Sequence, residues 1–199
     1  MSSSVKRKTG FTSAFSSINS QITLQIALLF APLAYCIHQI EESTGAFRTW
    51  RLRHFPDNNS LPVEYVFVIL TALTLFLIIL FSIRKSKPTA QFVVLFLMAT
   101  QVQNAFYHVG AGIYFADYSP GTITALLLYL PINFYIVTKA IQERWLTKSA
   151  VWVIFILGGI MFWSFELIGP VIIAVFFGLG LVYVVVSELR TNVQKLGSI

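Results

Sequence analysis

Charged side chains are scarce in this sequence of 199 residues: only 11% are Asp, Glu, Lys or Arg, whereas 56% are hydrophobic. A soluble domain carries about 25% charged and about 45–50% apolar residues, so the composition excludes an ordinary soluble globule and a disordered chain. A single cysteine, Cys36, excludes a fold held together by disulfides within the chain. The sequence also lacks a nucleotide-binding loop and internal repeats, which argues against an energy-coupled pump.

Long apolar segments make up most of the chain. A membrane-spanning helix needs about 20 predominantly apolar residues. We therefore predict an all-α, polytopic transmembrane helical bundle with six spans, at Gln21–Gln39, Val63–Ile83, Gln91–Tyr114, Pro120–Ile141, Ala150–Glu166 and Pro170–Ser187. The Gly169-Pro170 pair predicts a tight hairpin between the last two spans, because glycine followed by proline stops a helix. The alternative is five spans, the last of them one long bent helix.

Lysine and arginine are distributed unevenly between the predicted loops. Cytoplasmic loops of membrane proteins carry an excess of these residues. With the N-terminus inside, eleven of the fourteen are cytoplasmic, and only the three arginines of the first outer loop are not. Both termini are then cytoplasmic, and the net charge of +6 reflects loop charge and not nucleic-acid binding. The predicted domains are a flexible cytoplasmic tail at 1–20, one transmembrane domain at 21–189 and a cytoplasmic tail at 190–199.

Six of the eight acidic residues fall on the predicted extracytoplasmic side, although acidic residues contribute little to topology. The first span ends in His38-Gln39-Ile40-Glu41-Glu42, and a continuing helix places His38, Glu41 and Glu42 on one face. Three alanines continue this face along the span, which predicts that it points into the bundle. Inward-facing ionisable groups are functional candidates. The alternative is a hydrated helix end whose carboxylates cap loops or pair with arginines of the outer loop.

The third predicted span carries a second polar face, on which Gln101, Asn104, His108 and Gly112 follow at helical steps. His108 lies in the same half of the membrane as His38. Imidazole and carboxylate together are ligands of Zn, Fe or Mn, and helical bundles supply such ligands from facing helices. We therefore predict a transition-metal site, Zn or Fe before Mn, with Asn104 orienting His108 or a bound water.

Two further elements are expected at the same surface. Tyr118-Ser119-Pro120-Gly121-Thr122 is a turn followed by a helix start, whose free N–H groups can hold an anion or orient a substrate. A plain structural turn is the alternative. Glu166 lies at the tip of the last hairpin, where it is a further ligand, an acid or base, or a solvated residue.

The first outer loop interleaves basic and aromatic residues from Phe47 to Phe55. This pattern is typical of a helix lying in the membrane interface. Arginines on the side that normally has few of them also suggest phosphate or carboxylate contact, with Arg48 and Arg51 as the candidates. An interfacial anchor is the favoured interpretation.

Three of these motifs together resemble the HXXEE family of integral membrane proteins. They are the His38–Glu42 segment, then Asn104-Ala105-Phe106-Tyr107-His108, then Tyr118-Ser119-Pro120-Gly121. The resemblance covers roughly residues 25 to 140 and implies a shared site, without an assigned reaction. It groups the following residues as one constellation: His38, Glu41, Glu42, Asn104, His108 and Tyr118. It does not extend to Glu166 or the arginine loop.

The favoured hypothesis is a metal-dependent membrane enzyme, a hydrolase or an oxidoreductase. His38 and His108 are the predicted ligands, with either Glu41 or Glu42 completing the shell and the other acting as general base. A metal-free lipid or sterol isomerase that uses Glu and His as acid and base is the first alternative. A transporter or lipid-binding accessory protein is the second, although the polar groups lie at one membrane end and not at the midplane.

The expected partners are membrane lipids and a lipid-like or apolar small-molecule substrate; the oligomeric state is left open. Pro32 and Pro131 lie inside spans and predict kinks that open a cavity between helices. A bacterial inner membrane is the favoured location. A eukaryotic endomembrane is the alternative, in which Asn58-Asn59-Ser60 forms an outward-facing glycosylation sequon.

Overall fold

The structure, a computed structural model, describes residues 22–57 and 61–196, and every regular element within these ranges is a helix. The tail predicted at 1–20, the Asn58-Asn59-Ser60 sequon and the last three residues of the chain lie outside the described residues.

Six helices of the described chain are long and apolar enough to cross a membrane. In chain order, with one short helix after the first, the elements are α1 (Leu24–Thr44), α2 (Phe47–His54), α3 (Val63–Arg84), α4 (Lys87–Phe115), α5 (Thr122–Gln142), α6 (Lys148–Ile168) and α7 (Val171–Leu196). The six predicted spans are confirmed, and the alternative of five is wrong. The chain is an integral multi-pass membrane protein.

Local sequence explains where several of these helices begin and end. The Ser86 hydroxyl accepts the Thr89 N–H at the start of α4, and the Thr89 hydroxyl accepts the Ser86 N–H in return. Thr147 accepts the Ala150 N–H at 3.1 Å and begins α6. Gly169 has a φ of 100°, a conformation that favours glycine, and it ends α6 where the sequence predicts a hairpin.

Helix α4 is the centre of the bundle, because it packs against α3, α5, α6 and α7. Of its most apolar window 67% is buried, against 11% for α7, which lies at the periphery. The main apolar core surrounds the half of α4 that precedes its polar face. Asn104 and His108 of α4 therefore lie beyond this core, towards the end of the bundle where α2 lies.

The regular α-helical pattern is interrupted in three spans. In α1 it breaks at Leu29, three residues before Pro32. In α5 a π-helical segment, Ala125–Tyr129, precedes Pro131, and α4 contains a second one at Met98–Gln103. Proline removes a backbone donor, and π-helical turns are frequent at functional sites because they re-aim the side chains beside them. Both π-helical segments adjoin candidate site residues.

The inner face of α1 is lined by small residues, as predicted. Ala27, Ala31 and Ala34 are each at most 1% exposed. Gln101 of α4 donates to the Ala31 carbonyl at 2.9 Å and accepts from Asn133 of α5 at 2.7 Å. Close approach of α1 thus lets polar groups of three helices satisfy one another inside the bundle.

The contact between α7 and α4 leads to a first prediction. A Cβ on Gly180 would lie 2.1 Å from the buried Phe92 ring, whereas nothing lies within 4 Å of a Cβ on Gly178. Gly180→Ala is expected to destabilise the protein by about 1–3 kcal/mol, because the ring has to move. Gly178→Ala is the control and is expected to leave stability unchanged or raised. Thermal unfolding in detergent measures both; equal effects would contradict this packing.

Candidate metal centre

Two histidines and one glutamate from α1 and α4 meet at the end of the bundle where α2 lies. His38 and Glu42 are one helical turn apart on α1, and His108 comes from α4. Both histidines are fully buried and Glu42 is 5% exposed. Among the described residues, they are the one group of His, Cys, Asp or Glu whose potential ligand atoms all lie within 4.8 Å of one another. We call them the His–Glu–His cluster.

One carboxylate oxygen lies between the two imidazoles. Glu42 Oε1 is 3.1 Å from His108 Nε2 and 3.3 Å from His38 Nε2. A tetrahedral metal ion with bonds of about 2.0–2.1 Å holds its ligand atoms about 3.3–3.4 Å apart. Both carboxylate–imidazole spacings are close to this value, and all three ligand atoms lie within 4.8 Å of one another.

The other nitrogen of each imidazole is anchored by a hydroxyl from the α4–α5 turn or the start of α5. His38 Nδ1 is 2.9 Å from Thr124 Oγ1, and His108 Nδ1 is 2.9 Å from Ser119 Oγ. The Thr124 hydroxyl also donates to the Gly121 carbonyl at 3.3 Å, which leaves it to accept a hydrogen from His38 Nδ1. In the neutral ring Nε2 then presents a lone pair to Glu42. Such anchoring of the second nitrogen is typical of metal-binding histidines.

His38 Nε2 is buried and makes no hydrogen bond within the described chain, although Glu42 Oε1 lies 3.3 Å away. A buried polar atom without a partner is costly, and its presence calls for an explanation. A metal ion on the three ligand atoms would satisfy it. The donor set of two imidazole nitrogens and one carboxylate oxygen is also suited to Zn or Fe. The residues present therefore fit a transition metal.

Gly121 brings the backbone of the α4–α5 turn against both imidazoles. Its φ is 107°, and an added Cβ would lie 2.7 Å from His108 Cε1 and 2.8 Å from His38 Cε1. Only glycine combines this backbone conformation with such close approach. The glycine of the predicted turn is thus required by the cluster that the turn covers.

Glu41 does not join the cluster but holds the start of α5. Its Oε2 accepts the Thr124 N–H at 2.8 Å, and its Oε1 accepts the Gly121 N–H at 3.0 Å. The Tyr118 hydroxyl also donates to Glu41 Oε1. The free N–H groups predicted to hold an anion are thus occupied by a carboxylate of the chain itself. The structure places Glu41 and Tyr118 in a cap that positions Thr124 for His38.

Asn104 lies on α4 one turn before His108, but the partners of His108 are Ser119 and Glu42. Asn104 instead lines a cavity of about 130 Å³ whose other lining residues come from α1, α2, α3, α4, α6 and α7 and from the loop after α2. Glu42 is the member of the His–Glu–His cluster that reaches the wall of this cavity. A second, more open cleft beside Pro62 and Glu64 also reaches Glu42.

Residues of α2 and of the loop after it are joined to other parts of the site end by ion pairs. Arg51 Nη2 lies 2.9 Å from Glu166 Oε2 of α6, and Arg48 Nη2 lies 3.4 Å from Asp57 Oδ2. His54 Nε2 lies 2.9 Å from Asp117 Oδ2. The Arg51–Glu166 pair has side chains only 14% and 13% exposed, so solvent screens it less than the Arg48–Asp57 pair. Glu166 is therefore a partner of Arg51 rather than a member of the cluster.

Three groups outside the membrane-spanning segments have shifted pKa values. Burial, together with the hydrogen bond to Glu41, raises the pKa of Tyr118 to about 12. A hydrogen bond from His54 lowers the pKa of Asp117. Burial lowers the pKa of Arg51, but the charge and the hydrogen bond of Glu166, with smaller contributions from Tyr107 and Asp57, together raise it. Tyr118 is thus neutral and able to donate at neutral pH, while Asp117 is charged.

Sequence reasoning identified the ligand candidates but not the residues that support them. Ser119 and Thr124 anchor the imidazoles, and the Tyr129 ring lies 4.4 Å from His38. The Phe47 ring lies 4.8 Å from His108, which assigns part of α2 to the lining of the cluster. The Ser119-Pro120-Gly121 turn was the available signal. Once this turn folds back over the cluster, its serine hydroxyl and the hydroxyl of Thr124 lie beside the two histidines.

Fold and site together define a multi-pass membrane protein with a buried cluster of two histidines and a glutamate. The profile of a family described as a protein of unknown function with HXXEE motif matches residues 29–136. Because this match covers more than half of the chain, the chain belongs to the HXXEE family. The matched range includes every residue of the predicted constellation and ends before Glu166. No curated protein and no solved structure matches the chain.

The close approach of Gly121 gives a second prediction. Gly121→Ala is expected to destabilise the protein by about 1–3 kcal/mol, because the methyl group meets both imidazoles and the φ is strained for alanine. Gly112→Ala is the matched control: its nearest neighbour, the Asp117 carbonyl oxygen, would lie at an ordinary 3.5 Å. Thermal unfolding in detergent compares the two variants. A Gly121→Ala protein as stable as Gly112→Ala would refute the close packing.

Proposed function

We propose that the protein is a membrane-embedded, metal-dependent enzyme that acts on a lipid-like substrate. The observation that carries this proposal is the convergence of His38 Nε2, His108 Nε2 and Glu42 Oε1 inside the bundle, with both Nδ1 atoms anchored. Three protein ligands are characteristic of catalytic metal sites, since they leave a coordination position for water or substrate. Structural sites usually have four.

The chain's own residues have distinct roles in this proposal. His38, Glu42 and His108 hold the ion, which we propose to be Zn or Fe. Thr124 and Ser119 keep the imidazoles oriented. A bound Zn ion would lower the pKa of a water molecule for hydrolysis, whereas a bound Fe ion would supply oxidative chemistry. Glu41 and Tyr118 fix the turn that carries both hydroxyls, and the aromatic rings around the cluster keep bulk water away.

A metal-free acid/base enzyme is the second candidate, and a specific observation favours it. Glu42 Oε1 lies within hydrogen-bond distance of His108 Nε2, so a proton can be shared between carboxylate and imidazole without a metal. An isomerase of lipids or sterols would use such a pair. Catalysis that survives exhaustive chelation and is lost in Glu42→Gln would favour this candidate over the metalloenzyme.

The orientation is part of the proposal. Both termini lie in the cytoplasm, and the cluster is at the extracytoplasmic end, because eleven of the fourteen basic residues then fall on the cytoplasmic side. A bacterial inner membrane is the proposed location.

Substitution of individual ligands gives the third prediction. We expect about one Zn or Fe ion per purified chain. His38→Ala, His108→Ala and Glu42→Gln should each lower metal affinity by at least about tenfold, because each removes a ligand. Elemental analysis and metal titration measure the effect.

Two matched controls separate loss of a ligand from general damage. His54→Ala removes a histidine at the same end of the bundle that pairs with Asp117 outside the cluster, so metal content should be unchanged. Glu41→Gln alters the neighbouring carboxylate, which holds the start of α5 and not the ion, and should lower metal affinity less than a ligand variant does. Metal content far below one per chain in the wild type, or a loss equal in the ligand variants and in His54→Ala, would overturn the metal site.

The fourth prediction concerns orientation. Cys36 is the only cysteine, so a Cys36→Ser background permits single reporters at exposed positions. In sealed cells, a membrane-impermeant maleimide should label Arg53→Cys in α2 but not Lys148→Cys at the start of α6, which becomes reactive only after permeabilisation. Both substitutions remove one basic residue and are therefore matched. The reverse labelling pattern would show that the cluster faces the cytoplasm.

A further inference from the structure

The cavity beside Glu42 is a separate feature from the His–Glu–His cluster. His38 and His108 lie behind its wall, on the side of α5, whereas Glu42 reaches both the cluster and the cavity. No residue of α5 lines this cavity, although the α4–α5 turn and the start of α5 supply both hydroxyls that anchor the imidazoles. A molecule in the cavity would therefore meet the cluster through Glu42 alone.

Both arginines in the cavity wall are already paired with carboxylates. Arg51 faces Glu166 at 2.9 Å, Arg48 faces Asp57 at 3.4 Å, and Glu42 faces the two imidazoles. The wall therefore contains two cationic and three anionic side chains, so no cation is left over for a phosphate or carboxylate. The anionic headgroup contact suggested by the arginine-rich loop is not favoured by this arrangement. A neutral ligand suits it better.

Two polar atoms in the wall have no such partner among the described residues: Asn104 Oδ1 and the Tyr107 hydroxyl oxygen. Asn104 Oδ1 is buried, and within the described chain no hydrogen-bond donor reaches it. A carboxamide oxygen is an acceptor, so it requires an O–H or N–H group. Ligand pockets typically combine an apolar lining with a few placed polar groups of this kind.

The remaining wall is mostly apolar. Its lining includes apolar side chains of three helices: Val66 and Leu70 of α3, Met161 and Phe162 of α6, and Ile173 of α7. Such a surface accommodates a hydrocarbon chain or ring system. Polar and apolar parts of the wall therefore match the two parts of an amphiphile.

We propose that this cavity binds a neutral amphiphile through a hydroxyl or amide N–H that donates to Asn104, with its hydrocarbon part between α3 and α6. This inference rests on the proposed function, in that the bound molecule would be the substrate presented to Glu42 and the metal. Asn104 is thereby a substrate-binding residue and not a partner of His108.

The test uses the full-length protein in phosphatidylcholine nanodiscs and two photoreactive probes with the same chain, a diazirine-bearing dodecanol and the corresponding dodecanoate. We expect dodecanol to label peptides that contain Met161 or Phe162 at least about fivefold more strongly than dodecanoate. Asn104→Leu should reduce dodecanol labelling by about fivefold, the factor expected for loss of one hydrogen bond. Mass spectrometry of the labelled peptides is the readout.

Thr100→Val is the matched control. Thr100 lines the same cavity one turn before Asn104, but its hydroxyl donates to the Phe96 carbonyl at 2.8 Å. Its loss should leave dodecanol labelling unchanged. Equal labelling by the two probes, stronger labelling by dodecanoate, or undiminished labelling of Asn104→Leu would overturn the proposal. If Asn104→Leu does not fold, the comparison of the two probes on wild-type protein decides alone.

Repeating the labelling on chelated protein separates this inference from the metal site. Dodecanol labelling that persists after chelation would show that the cavity binds without the metal. If the purified chain holds no metal and is still labelled, the cavity proposal stands and the metalloenzyme proposal fails. A chain that binds about one metal ion but shows no preference for dodecanol would refute the cavity proposal and leave the metal site intact.

Discussion

A carboxylate inside a membrane-spanning bundle has to be compensated by its surroundings, and Glu42 imposes this constraint on the site end of the structure. Its side chain is 6% exposed, two imidazoles lie beside its Oε1, and Gln39 donates to its Oε2 at 2.6 Å. An unpaired buried charge would cost far more than the bundle gains from packing one residue. The contacts of Glu42 with both imidazoles depend on the approach of α4 to α1 and on the fold of the α4–α5 turn over both helices.

Both imidazoles can serve this site only if their rings are held in one orientation, and the α4–α5 turn and the start of α5 hold them. Ser119 and Thr124 fix the outer nitrogens, while Gly121 lets the backbone come close enough for them to do so. Glu41 in turn fixes Thr124 by accepting its N–H. The two adjacent glutamates of the motif therefore have different tasks: Glu42 pairs with the imidazoles, and Glu41 holds the backbone that orients them.

Helical periodicity was sufficient to predict much of this arrangement. Six spans follow from apolar length, and the inward face of α1 follows from the spacing of His38 relative to small residues. Periodicity places a side chain on a face but does not say which of two adjacent side chains turns inward. For this reason the sequence could not assign Glu42 rather than Glu41 to the cluster. The contact of Ser119 with His108 could not be predicted either, because it depends on how the turn folds back.

Association between distant segments was harder still to anticipate. Arg51 and Glu166 are separated by 115 residues, and their pairing reverses what an arginine-rich outer loop suggests when taken alone. Arginines that appeared free to contact anionic lipid are instead neutralised by the protein, and α2 is thereby attached to the end of α6. With these charges paired, the cavity wall offers a neutral molecule the Glu42 carboxylate and the uncharged polar groups of Gln39, Thr100, Asn104 and Tyr107. Glu42 on α1 and Asn104 on α4 thus line the same cavity, so a substrate that uses both must contact both helices.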